Sequence, residues 1–280
     1  MKLATWNINS IRAAGRVDRA LSVLERHDLD VLALQEIKCK PEQFPTQPFE
    51  DAGYHVVTHG LNQWNGVAVI SRLPITHTAT SFPGQPGFEK GTPSGGEGFI
   101  DGALEARALG TTLALPTGDT NAPRELTVWS LYVPNGRSLG DPHYHYKLAF
   151  LDALRKYAAR ELATNRDAAF ILVGDWNVIP TDDDVWDVNG TDGLYLSAPE
   201  RQAFFSVEDA GMHEVTRQYA TNYTFWDYQK LRFPKNEGMR IDFAYASPAV
   251  ADLVTGAAID RNERKGKGAS DHVPVIVELR

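Results

Sequence analysis

The chain has 280 residues, 42% of them hydrophobic, so it can bury a large core, and its formal net charge is −8. That charge excludes a protein that simply coats nucleic acid, which would be basic, but allows an enzyme that gathers carboxylates around a cation. There is no apolar run of about 18 residues to span a bilayer and no signal-peptide core, and the single cysteine, Cys39, forbids an internal disulfide; a cytoplasmic protein with no membrane contact is expected.

No Gly/Ser linker divides the middle, so residues 1–280 are expected to form one domain. Residues 3–9 read as a first strand, with Thr5, Asn7 and Asn9 on one face and Ala4, Trp6 and Ile8 on the other. Ser10 is the expected cap of a helix whose apolar stripe is Val17, Ala20, Leu21 and Leu24. Arg12, Arg16 and Arg19 lie off that stripe, available to phosphate or to solvent. A continuous apolar strand over 31–35 then ends at Glu36, and strand, helix and strand in this order make a parallel βαβ unit. Further strands are expected over 53–58 and 66–71, then a Gly/Pro-rich loop insertion at 85–102. Strands over 103–115 and 125–133 follow, with a turn at 116–119 between them. Asp141-Pro142 opens a helix with Leu148, Leu151 and Leu154 on its buried face. Residues 200–210 form a short helix, and late strands lie over 241–246 and 273–279. Strand pairs interspersed with helices predict mixed sheets, and no dinucleotide or P-loop glycine motif is present.

The stretch most loaded with chemistry is Ile171-Leu172-Val173-Gly174-Asp175-Trp176-Asn177. An apolar run ends in a carboxylate and a carboxamide two residues apart, so both emerge on one face at a strand's carboxyl end, where α/β sites lie. Asn7 and Glu36 end their own strands in the same way. Glu36 offers the hard oxygen that magnesium prefers, and no Cys/His spacing suggests zinc. In Asp271-His272, with Asp242, a carboxylate can hold an imidazole protonated against a phosphate. Tyr132 adds a neutral donor, as do the amides of Asn7 and Asn177. A basic segment over 261–268 runs up to Ser270-Asp271-His272; it is either a solvated loop or a phosphate contact beside the site.

Six motifs occur in order: Trp6-Asn7-Ile8-Asn9, Leu34-Gln35-Glu36-Ile37-Lys38, Tyr132-Val133-Pro134-Asn135-Gly136, Gly174-Asp175-Trp176-Asn177, Arg240-Ile241-Asp242-Phe243 and Ser270-Asp271-His272-Val273-Pro274. Together they resemble the endonuclease/exonuclease/phosphatase superfamily, and within it the exodeoxyribonuclease III family of apurinic/apyrimidinic (AP) endonucleases. The likeness runs from Lys2 to Leu279. It implies a four-layer α/β sandwich, two packed mixed β-sheets flanked by helices. It also implies a magnesium-dependent nuclease, with manganese able to substitute. Such an enzyme acts as a monomer on duplex DNA with abasic or blocked 3′ ends: it cleaves 5′ to the abasic site and has 3′-5′ exonuclease and 3′-phosphodiesterase activity.

By the same resemblance, Glu36 and Asp271 bind the metal. Asp175, His272, Asp242, Tyr132, Asn177 and Asn7 are catalytic, with either Asp175 or His272 as the base. Phe225 or Trp226 packs on the extrahelical sugar with Met239 nearby, and Asn135 and Arg137 contact substrate. Asn9 stands where some relatives carry an Asp, which leaves open a second metal, and the family's Gly-Arg is here Ala106-Arg107, which leaves Arg107 without a firm role. A phosphatase or phosphodiesterase of inositol phosphates or lipids would share most of these acids. Tyr132-Val133-Pro134-Asn135 and Thr224-Phe225-Trp226 favour DNA, and the intact acids with His272 disfavour a DNA-binding protein without catalysis.

Overall fold

The computed structural model describes residues 1–89, 102–116 and 123–280. Most of the expected insertion at 85–102 and most of the 116–119 turn lie outside the described residues; where the insertion begins and ends, the Phe88 N–H donates to the Ala103 carbonyl at 3.0 Å. Among the described residues are two six-stranded sheets. The first contains β1 (Lys2–Asn7), β2 (Val31–Gln35), β3 (His55–His59), β4 (Val67–Ser71), β11 (Val254–Ile259) and β12 (Val275–Leu279), in the order β11-β12-β1-β2-β4-β3. The second contains β5 (Ile75–Ala79), β6 (Ala108–Ala114), β7 (Glu125–Tyr132), β8 (Phe170–Asp175), β9 (His213–Glu214) and β10 (Asp242–Ala246), in the order β5-β6-β7-β8-β10-β9. Both sheets are mixed. β1–β2 and β7–β8 are parallel and the other pairs antiparallel.

Helices cover both outer faces. α1 (Arg16–Arg26) and α2 (Gln47–Asp51) pack Ala20, Val23, Leu24 and Phe49 against Ala4, Trp6, Leu32, Leu34 and Ile70 of the first sheet. α3 (Pro142–Thr164) and α4 (Ala198–Asp209) pack Phe150, Leu151, Leu154, Phe204 and Val207 against Trp129, Leu172, Phe243 and Tyr245 of the second. Each parallel pair is joined through a crossover helix, α1 or α3, as parallel pairing requires. The result is the expected four-layer sandwich.

The inter-sheet layer positions the site. At one end it is apolar, with Leu3, Val31, Val69 and Val277 facing Val128, Ile171, Val173, Ala244 and Ala246. One step along each strand, the same face carries Thr5, Gln35 and Ser130, bonded to one another across the sheets: Gln35 Nε2 donates to Thr5 Oγ1 at 3.0 Å and to Ser130 Oγ at 2.9 Å. This belt satisfies its own polar groups, as burial demands. The next step along β1, β7, β8 and the oppositely running β10 presents Asn7, Tyr132, Asp175 and Asp242. Period-two alternation thus turns one apolar interface into a cluster of functional groups at one end of the sandwich. β8 approaches β7 so closely that a Cβ on Gly174 would lie 1.9 Å from the Leu131 carbonyl oxygen, which only glycine tolerates.

Several expectations are corrected. Ser10 caps nothing; it has a φ of 77°, its N–H donates to the Glu36 carbonyl at 2.7 Å, and α1 starts after Gly15. Arg16 meets neither phosphate nor solvent. It is buried, and its guanidinium donates to the carbonyls of Ile8, Asn9, Gly268 and Ala269. Leu148 is only half-buried, because the stripe of α3 runs through Lys147, Phe150, Leu151 and Leu154. The strand expected over 103–115 begins only at Ala108, and β5, β9 and β11 are additional.

Candidate active site

Strand register sets the frame. Across the second sheet Tyr132, Asp175 and Asp242 pair side by side, and in the first sheet Asn7 pairs with Gln35, one residue before Glu36. The strand ends then turn sharply: Asn9, Glu36, Lys38 and Asn177 all adopt positive φ, between 44° and 52°. Such values are uncommon outside glycine, and here they aim side chains back over the inter-sheet end.

Asn7 is fully buried and joins the two halves. Its Nδ2 donates to Glu36 Oε1 at 2.9 Å and to Asp175 Oδ2 at 3.0 Å. The Asp175 Oδ1 accepts the Asn177 N–H at 2.9 Å, and the Asn177 side chain donates to the Val133 carbonyl at 2.9 Å. His272 Nδ1 lies 2.9 Å from Asp242 Oδ2, and its Nε2 is 3.8 Å from Asp175 Oδ2. The Trp6 indole donates to the His272 carbonyl at 3.0 Å, and the His272 N–H donates to Ser270 Oγ at 3.3 Å, so the ring is set by its own backbone.

Burial and charge pull these groups apart. Burial opposes a charge on His272, but the carboxylates of Asp242 and Asp175 outweigh it and raise the imidazole to about 10. Burial also drives Asp175 upward, helped by the neighbouring Asp242 and Glu36 carboxylates and opposed by His272, to about 7. Glu36 moves the other way: burial would raise it, yet the Lys38 ammonium at 2.8 Å and the Asn7 amide bring it below the usual carboxylate range. Burial and the nearby Glu36 carboxylate keep the Tyr132 phenol protonated. The site therefore combines a cationic donor, a neutral donor and a carboxylate poised to accept a proton.

The donors are hard. Glu36, Asp175, Asp242 and Asp271 offer carboxylate oxygens, and the buried Asp242 Oδ1 has no hydrogen-bond partner among the described residues. That chemistry fits magnesium or manganese and not a thiol-seeking metal. The ligand atoms of Asp175, Asp242 and His272 lie within 4.8 Å of one another, and His272 Nδ1 is already engaged with Asp242 Oδ2 at 2.9 Å.

The remaining sequence candidates are distributed as follows. Asp271 Oδ1 accepts from Asn9 Nδ2 at 2.9 Å, and Asn9 Oδ1 accepts from Lys38 at 2.6 Å, which ties Asp271 through Asn9 and Lys38 to Glu36. Phe225 is half-buried with its ring 4.9 Å from that of His272, and it bridges to Met239. Trp226 points the other way: it is fully buried against Phe233 and Tyr223. Asn135 and Arg137 are exposed at the edge of a cleft of about 520 Å³ that also reaches Tyr132, Arg107, His143 and Trp64. Arg107 lies over the Tyr132 ring at 4.9 Å and pairs with Glu105 at 2.6 Å, so it braces Tyr132. The basic segment is packed rather than free: Arg264 lies over Tyr228 and donates to the Trp226 carbonyl, while Lys265 and Lys267 remain exposed. Residues not singled out from the sequence include Lys38, which was visible inside its own motif, and Tyr195, which packs on the same cluster of Ile179, Val185 and Ile241 as Phe225 and Met239, with no local sequence signal.

The sequence profile described as the endonuclease/exonuclease/phosphatase family matches residues 4–272. The chain is 27% identical to the exodeoxyribonuclease III of Haemophilus influenzae, covering 100% of both chains. It is 28% identical to an exodeoxyribonuclease of Bacillus subtilis, covering 98% of each. Among solved structures, it is similar to a 3′ phosphatase from Neisseria, NExo, bound to product DNA hairpin, with a TM-score of 0.84, 28% identity and coverage of 100% of this chain and 99% of that one. It is also similar to an AP endonuclease from Archaeoglobus fulgidus, with a TM-score of 0.82, 26% identity and coverage of 100% and 99%. No helix among the described residues is long and apolar enough to cross a membrane. With its acidic cluster at the expected strand ends and likeness along its whole length, the chain belongs to the endonuclease/exonuclease/phosphatase family, as a DNA-repair nuclease of the exodeoxyribonuclease III and AP-endonuclease type.

Proposed function

We propose that this protein, as a single-domain monomer, hydrolyses the phosphodiester 5′ to an abasic site in duplex DNA and removes blocking groups from 3′ ends, using magnesium held by Glu36 and Asp271, with manganese able to substitute. The observation that carries the reading is the register row Tyr132–Asp175–Asp242 with His272 in front of it, facing Asn7 and Glu36 across the sandwich. The metal, when bound, supplies positive charge to a phosphate oxygen. The His272 imidazolium, kept protonated by Asp242, donates to a second oxygen, and the Tyr132 phenol to a third. Asp175 takes the proton of the attacking water; His272 already holds its proton and is the poorer base. Asn7 and the Asn177 N–H fix the two oxygens of that carboxylate. Phe225 and Met239 offer the sugar an apolar wall, and Asn135 and Arg137 lie where the neighbouring strand passes.

The 3′-end part of the reading is supported by one relative, NExo from Neisseria, described both as a 3′ phosphatase and as a 3′-5′ exonuclease. The test is purified protein with magnesium on two duplexes, one with a single abasic analogue and one with a 3′-phosphate, with product ends mapped. Incision 5′ to the analogue with a 3′-hydroxyl product is expected, along with release of phosphate. Cleavage of neither duplex would sink the proposal.

A further inference from the structure

Two helices carry a charge where the buried stripe calls for a hydrophobe. In α3 the stripe is Lys147, Phe150, Leu151 and Leu154; in α4 it is Glu200, Phe204 and Val207. Lys147 and Glu200 are both fully buried and meet each other. The Lys147 ammonium donates to Glu200 Oε1 and to the Asn177 carbonyl. Glu200 in turn accepts the Tyr195 N–H at 3.1 Å, the Ser197 N–H at 3.1 Å and the Ser197 hydroxyl at 2.7 Å. The ammonium also lies 4.8 Å from the centre of the Tyr195 ring. The two segments so fastened touch each other, since the Ile179 N–H donates to the Tyr195 carbonyl at 2.7 Å.

We infer that Lys147 and Glu200 are positioning residues for the reaction, a buried clamp that sets both Asn177, and through it the Asp175 carboxylate, and Tyr195, which shares its apolar cluster with Phe225 and Met239. The inference rests on the nuclease reading for its kinetic part only. Asn177 and Tyr195 have φ of 50° and 71°, conformations that non-glycine residues hold only where their surroundings over-determine them. The clamp supplies that: one ion pair fixes the carbonyl of the first and the N–H of the second. A well-packed apolar pair would serve stability equally well or better, because burying two charges costs about what their attraction returns. Glu200 also closes the capping box of α4 with Ser197, but Lys147 has no such helix-end role, and the geometry of Asn177 is the physical reason for a lysine there. Burial lowers the Lys147 ammonium to about 8, and Glu200 opposes that fall and keeps it a donor. Neither side chain reaches the reacting atoms; Asn177 stands between Lys147 and Asp175.

The test compares wild type, Lys147→Met and Glu200→Gln by steady-state kinetics on the abasic duplex and by amide hydrogen exchange. Lys147→Met should lower kcat at least tenfold with KM within threefold, and amides of residues 177–179 and 195–197 should exchange faster together while those of β1 and β6 do not. Glu200→Gln, of equal size, should show the same pattern more weakly and serves if Lys147→Met does not fold. A folded Lys147→Met that keeps kcat within tenfold of wild type, or, where that variant does not fold, a Glu200→Gln that keeps it within threefold, overturns the clamp, as does unchanged exchange in either segment of the variant read or failure of both variants to fold. Wild type that cleaves no DNA refutes the nuclease reading alone, since the exchange measurement still decides whether the two segments are held together.

Discussion

Replacing Asp242 by Asn should move the pH dependence of catalysis rather than abolish it. The amide keeps the size of the side chain and an acceptor for His272 Nδ1, now at 2.9 Å from Asp242 Oδ2, but removes the charge. His272 is almost fully buried, and burial alone would lower its affinity for a proton; Asp242 is the largest influence lifting it to about 10. For unit charges about 4 Å apart at an effective dielectric near 20, Coulomb's law gives about 4 kcal/mol, or about three decades in the protonation equilibrium. The variant imidazole should then titrate near pH 7, roughly three units below wild type. Single-turnover cleavage by the variant should match wild type within a few-fold at pH 6 and fall about tenfold per pH unit above about 7, while wild type holds its rate to at least pH 9. Stability should follow the same sign. A folded value of about 10 above an unfolded value of 6.5 means that the contribution is complete below pH 6.5 and is lost as pH rises towards 10. Urea unfolding of wild type should weaken across that window, and the variant should show a flatter limb. Parallel pH–rate profiles for the two proteins would refute the view that Asp242 holds the proton on His272.

Other outcomes follow from the same geometry. Glu36→Gln should cut cleavage by at least two orders of magnitude, about 2.7 kcal/mol, and weaken magnesium binding in calorimetry without lowering Tm; wild-type-like binding would remove Glu36 from the metal. Trp226→Ala, which empties a fully buried ring site, should cost about 3–5 kcal/mol in urea unfolding. Phe225→Ala should leave stability nearly intact and reduce the kcat/KM preference for abasic over intact duplex by about tenfold, a pocket contact being worth about 1–3 kcal/mol; an unchanged preference would place the sugar elsewhere. Arg16→Met orphans several buried carbonyls at about 1–3 kcal/mol each, so a loss of at least about 3 kcal/mol is expected, and a loss under 1 kcal/mol would show that water replaces the guanidinium.

The central strands could be read from the sequence because they are apolar on both faces and then stop at polar residues. Val31 to Gln35 and Phe170 to Asp175 are of this kind, and their ends are where the site forms. Edge strands lack that signal: β5 is Ile75-Thr76-His77-Thr78-Ala79 and β9 is two residues long, so pairing rather than pattern makes them strands. Ser10 has the right chemistry for a cap, but the turn over Glu36 claims it first, a contact between segments that no local rule contains. Alternation could separate Phe225 from Trp226 but could not say which one faces His272. Lys147 and Glu200 were not legible as a pair: Leu148, the expected member of the α3 stripe, sits one residue from Lys147, the buried one, and the meeting of the two helices is a contact that no local pattern contains.

The pairing of β1 with both β2 and β12 bears on how the protein is made. During synthesis β1 emerges first and waits with one edge bare until β12 has been translated. The Trp6 indole finds the His272 carbonyl across 266 residues, and Asn9 finds Asp271 across 262. Contacts this distant fold slowly and leave a strand edge open to wrong partners in the meantime. A chain broken off between Asn177 and Ser270 has Glu36 and Asp175 but lacks Asp271 and His272, so the cluster at the sandwich end is complete only once those residues have joined it.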